Sequence, residues 1–88
     1  MTPTFRVPSN VLRADLEGKE VLLNPDTGVY HLVNATGRSL LEAFEAGTSF
    51  DEAVTDIAAR SDVDPERVRR DAQVFVDDML SRRLLERG

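Results

Sequence analysis

His31 is the single histidine of an 88-residue chain that contains no cysteine, and it stands within Val29-Tyr30-His31-Leu32-Val33. A zinc site is built from several nitrogen, sulfur or oxygen ligands, and here only carboxylates could complete one around His31. A lone histidine in a strand more often packs than binds a metal or moves a proton. Asp77-Asp78 is the one adjacent acidic pair within the long apolar-periodic segment near the C-terminus. On a helix its two side chains diverge by about 100°, so they read as a solvated face with arginine partners at i+4 and i+5. Thr36-Gly37-Arg38-Ser39 lacks the glycine spacing and the lysine of a phosphate loop. Asn24-Pro25-Asp26-Thr27-Gly28 carries too few carboxylates for a calcium loop. Asn34-Ala35-Thr36 matches a glycosylation sequon, which has no meaning without secretion. No nucleophile is paired with a base. The chain is therefore expected to act by binding rather than catalysis, with no metal and no cofactor.

Charge narrows the class of partner. Eleven basic and 16 acidic residues give a net charge of −5, and a negative field slows the approach of phosphate backbones. Arg67, Arg69 and Arg70 could belong to a DNA-recognition helix. Glu66 and Asp71 interleave with them, and residues 64–88 hold six basic and six acidic residues. A salt-bridged surface is the simpler reading, and a winged-helix DNA-binding regulator is the alternative function. The N-terminus carries no signal-peptide pattern, and no run approaches the roughly 18 apolar residues of a membrane span. A soluble, cytoplasmic protein is expected, with neither nucleic acid nor membrane as partner.

The elements that would position any site fall into two parts. Residues 5–33 alternate short apolar runs with turn formers: Val11–Leu16, then Glu17-Gly18-Lys19, then Glu20–Leu23, then Asn24–Gly28, then Val29–Val33. Pro25, Asp26 and Gly28 each favour a turn for a different reason, so the flanking runs are expected to pair as an antiparallel hairpin. Phe5-Arg6-Val7 could add an edge strand, ended by Pro8. Residues 34–88 read as three helices. Asn34 caps the first, with Leu40, Leu41 and Phe44 on its apolar face and Gly47 as its stop. Ser49-Phe50-Asp51-Glu52 is a capping box, in which the hydroxyl and the Glu52 carboxylate each satisfy a free amide. Asp64-Pro65 opens the longest helix, with the stripe Val68, Ala72, Phe75, Val76, Met79. Leu84 and Leu85 fall off that stripe and suit a frayed end or a final extended segment. One domain over residues 1–88 is expected, of the α+β class. Its architecture is winged-helix-like, a three-stranded antiparallel sheet followed by three helices packed on one face.

The order of these motifs resembles the PqqD family. Gly28–Gly37 is similar to that family's passage from a strand, through an apolar-Asn pair, into a helix. Ser49–Ala53 and Val63-Asp64-Pro65-Glu66 resemble its next two helix starts, and Asp71 through Leu85 resembles its closing helix and a frequent Gly-Leu-Leu ending. Two positions depart from the pattern. Val33 stands where leucine is usual before Asn34, and Arg83 where glycine often precedes the leucine pair.

The resemblance implies a recognition element for ribosomally made peptides, of the kind that stands alone in lasso-peptide pathways. Such a module binds a precursor leader and presents it to a leader peptidase and a cyclase. The leader would add as a strand to Val29, Tyr30, His31, Leu32 and Val33, in a groove against the last helix. An open strand edge suits that role, since its free amides and carbonyls are a template for pairing. The pattern leaves open which set faces the helices, Tyr30 with Leu32 or Val29 with His31 and Val33. On the helix, the expected peptide contacts are Val68, Arg69, Ala72, Gln73, Phe75 and Val76, with Leu80 on the same margin. Val76→Asp and Ala72→Asp are accordingly expected to weaken peptide binding while leaving the domain folded.

Overall fold

The computed structural model describes residues 3–88. Strand β2 (Leu12–Leu16) and strand β3 (Lys19–Leu23) follow the short β1 (Phe5–Arg6) and are joined by Glu17 and Gly18 alone. Both turn residues have positive φ, 55° and 83°, the combination a two-residue type I′ hairpin demands. The Asp15 carboxylate accepts the Gly18 amide at 3.1 Å. Strand β4 (Tyr30–Val33) returns alongside β3, giving the order β2-β3-β4. The turn before it closes on Asn24, whose carbonyl accepts the Gly28 N–H at 2.8 Å and whose N–H reaches the Val29 carbonyl at 2.9 Å. Val29 thus completes the turn, and the strand expected from Val29 begins one residue later.

Three helices cover one face of this sheet. Helix α1 (Ala35–Glu45) starts where the Asn34 side chain accepts the Gly37 amide, and it ends at Gly47, φ 85°. Helix α2 (Phe50–Ser61) is capped by Ser49, whose hydroxyl accepts the Glu52 amide at 3.3 Å. The reciprocal half of the expected box differs, because the Glu52 carboxylate accepts the serine hydroxyl at 2.9 Å. Helix α3 (Pro65–Ser81) is capped by Asp64, with Pro65 in its first turn. The Leu84 N–H returns to the Met79 carbonyl at 2.9 Å and the Arg83 N–H to that of Leu80 at 3.2 Å. This Schellman closure puts Arg83 at φ 58°, the left-handed conformation that glycine adopts without cost.

Leu84 and Leu85 are buried in the core, and β5 (Glu86–Arg87) pairs antiparallel with β1. Of the two fates expected for this segment, the extended one holds. Phe5–Arg6 is a strand, as its composition suggests, yet it joins β5 in a separate two-stranded sheet rather than extending the main one. Phe5 supplies a ring to the core, 5.3 Å from Phe44 and 6.5 Å from Phe50. The centre holds Leu22, Leu40, Leu41, Val54, Val76, Met79 and Leu84. Asn24 is a buried polar residue at 3% exposure, and its Nδ2 donates to the Arg83 carbonyl at 2.9 Å, tying the hairpin to the end of α3.

Candidate functional site

Hydrogen-bond alternation decides which groups of β4 are free. In an antiparallel ladder every second residue pair exchanges bonds. The hairpin closes on Asn24 and Val29, and the register Leu22↔His31 and Glu20↔Val33 continues that alternation. His31 and Val33 therefore spend their backbone groups on β3. Those of Tyr30 and Leu32 point to the opposite side, where no strand lies among the described residues. Side chains alternate too. Val33 is buried and His31 half-buried toward the helices, while Tyr30 and Leu32 are 66% and 51% exposed on the outer face. The face left open by the sequence pattern is thus His31 with Val33.

The wall beside this edge comes from α3. Phe75 stands edge-on to the His31 ring, 6.1 Å between centroids. Behind it, a Cβ added at Gly37 would lie 2.8 Å from the Phe75 ring and 3.0 Å from Val33, so α1 carries glycine where the aromatic must seat. One and two turns further along α3, Asp78 approaches His31 Nδ1 at 3.7 Å and Arg82 donates to Asp78 at 2.9 Å. Arg82 Nη1 also reaches the Tyr30 carbonyl at 3.4 Å. Gly28, Val29, Tyr30, His31, Leu32 and Arg82 line a depression of about 530 Å³. A second, of about 410 Å³, lies at the other end of the strand against Lys19, Val33, Ala35 and Arg38, and Leu32 borders both.

The structure redistributes the residues expected on the helix. Phe75 stands on the groove flank, half-buried. Val68, Ala72 and Val76 are at most 6% exposed and belong to the core, unavailable to a peptide in this conformation. Arg69 lies on the opposite flank, where it pairs with Asp51 and sits 5.8 Å above the Phe50 ring, fastening α3 to α2. Gln73 is exposed and bonds Asp77 one turn on. Helical periodicity marks two margins beside an apolar stripe, and it is the margin of Phe75, Asp78 and Arg82 that meets β4. Sequence reasoning named Phe75 on this margin and otherwise chose the other one, with Arg69 and Gln73. Asp78 and Arg82 carried a signal, their i+4 spacing, which a solvated ion pair explains equally well.

Between the sheet's inner face and α1 lies a charge cluster. Glu20, with its side chain 10% exposed, accepts from Arg13 Nε at 2.8 Å and has Arg38 at 3.5 Å. Burial works against the Arg13 charge, yet hydrogen bonds to Glu45 and Glu20 and the charges of both raise its pKa above the ordinary arginine value. The cluster satisfies a buried carboxylate beneath the sheet and serves packing. No group of three or more histidine or acidic side chains that could hold a metal occurs among the described residues. None of their helices is long and apolar enough to cross a membrane.

The fold recurs in solved structures. A structure of TbiB1 in complex with the TbiA(beta) leader peptide matches with a TM-score of 0.80 and 31% identity, covering 92% of this chain and 94% of that one. A structure of lasso peptide synthetase B1 complexed with the leader peptide matches with a TM-score of 0.83 at 20% identity, covering 93% and 96%, a likeness of fold. No curated protein sequence matches. The family described as coenzyme PQQ synthesis protein D (PqqD) matches residues 20–85, from β3 through the buried leucine pair after α3. The winged-helix-like architecture and the motif order are thus shared over most of the chain, which belongs to the PqqD family.

Proposed function

We propose that this protein is a non-catalytic adaptor that binds the leader segment of a ribosomally made, lasso-type precursor peptide. The leader adds as a fourth strand to β4, against the flank of α3, and is presented there to a leader peptidase and a cyclase. The observation that carries this reading is the pair of outward backbone positions, Tyr30 and Leu32, beside the wall formed by Phe75, Asp78 and Arg82. Strand addition uses such groups for affinity and the neighbouring side-chain pockets for specificity. The leader peptide bound to TbiB1, the 31% identical relative, supports the choice of ligand.

The register makes the test specific. With a synthetic leader peptide of a lasso-type precursor, the amides of Tyr30 and Leu32 should gain hydrogen-exchange protection. Those of His31 and Val33, already bonded to β3, should change little. Protection confined to Arg67–Arg70 would exclude strand addition at β4.

A further inference from the structure

The main sheet turns its acidic residues away from its outer face and leaves that face almost wholly apolar. Leu12, Leu23 and Tyr30 stand in one cross-strand row of the outer face, and Ala14, Val21 and Leu32 in the next. Leu16 and Lys19 complete it at the turn. The partners of these residues on the inner face include Arg13, Asp15 and Glu20. A half-exposed antiparallel sheet ordinarily places its polar set outside; here seven of the eight outer positions are apolar and none is acidic. Leu12, Leu16, Tyr30 and Leu32 are 51–66% exposed.

We propose that this outer face is a self-association surface on which a second copy of the chain packs, sheet against sheet. Charge selects the face that a second copy can use. The molecule carries −5, so two copies repel, and the face free of carboxylates is where approach costs least. Symmetry argues for a second copy, since a two-fold interface must match itself. With the axis across the strands, β3 lies over its counterpart with ends reversed, so the two Lys19 side chains fall at opposite ends and do not meet. Area sets the strength. The four exposed side chains present on the order of 400–500 Å² per copy, the size of the largest apolar patch on a typical monomer, which is often functional. Pairing two such faces removes roughly 1,000 Å², the lower bound for a specific interface, so the dimer is weak. Strand addition at β4 uses the sheet's edge and not its face, so both sites can be filled together.

Sedimentation equilibrium of the full chain, from about 5 to about 500 μM, should show monomer–dimer exchange with Kd on the order of 10⁻⁵–10⁻⁴ M. The double variant Leu12→Lys/Leu16→Lys, altered only at exposed positions away from β4, should stay monomeric across that range and keep the wild-type circular dichroism. Amide and methyl NMR shifts of the wild-type chain should move on dilution, and only on the outer face. A wild-type chain that stays monomeric throughout overturns the proposal, and a dimer whose dilution shifts lie on the helices does so as well.

Discussion

Arg82 Nη1 lies 3.4 Å from the carbonyl oxygen of Tyr30, on the side of β4 that no other strand among the described residues occupies. The same guanidinium is held by Asp78 at 2.9 Å. One of the acceptors an incoming strand needs is therefore already engaged by a side chain, which blunts an exposed edge in the way natural sheets commonly do.

Arg82→Ala should free that carbonyl. A surface hydrogen bond of this kind contributes about 0.5–1 kcal/mol, so leader affinity is expected to rise roughly two- to fivefold. Calorimetric titration of both proteins with the same leader peptide measures it. A tenfold loss would instead make Arg82 a direct contact to the peptide.

Burial separates two kinds of substitution on α3. Val76 and Ala72 are 1% and 0% exposed, so Val76→Asp or Ala72→Asp places an unpaired carboxylate in the core. Each should unfold a domain whose net stability is about 3–5 kcal/mol, seen as loss of the helical circular dichroism signal. This replaces the expectation, drawn from the stripe alone, that both variants fold. Phe75→Ala, on the groove flank, is the variant that tests binding. It should lower leader affinity by about tenfold, with little dependence on salt, while the chain remains folded below its reduced melting temperature.

Arg83 occupies the left-handed position after α3 with φ 58°. A side chain there costs about 1–2 kcal/mol relative to glycine, partly offset by the greater freedom of an unfolded glycine. Arg83→Gly should raise stability by about 0.5–1 kcal/mol in urea denaturation, with the slope of the transition unchanged. The Asn24 bond to the residue 83 carbonyl needs no side chain there and should survive.

Helix starts were legible in the sequence because each cap is a local chemical event: Asn34, Ser49 and Asp64 all sit where their side chains meet a free amide. The three-stranded order was legible for the same reason, since two turn signals separate three apolar runs. What lies across the chain was not. That Phe5 and Arg6 pair with Glu86 and Arg87 depends on closure of the whole fold, and two residues per strand leave no periodic trace. Of the flank beside β4 only Phe75 was legible, because a helix has two margins, and it takes the packing of α2 against Arg69 to show that β4 lies by the other. The family resemblance implies an element pair as the site; hydrogen-bond alternation narrows the proposed strand contact to Tyr30 and Leu32.

The bond from Asn24 to the Arg83 carbonyl has a kinetic consequence. It clamps the hairpin leading into β4 to the turn that closes α3, so the two walls of the groove cannot separate at that end without exposing a buried amide. A receptor clamped in this way meets its ligand already shaped, and the entropic cost of association falls almost wholly on the flexible peptide. Arrival rates should then differ little from one leader sequence to another, and discrimination among them resides in how long each stays bound.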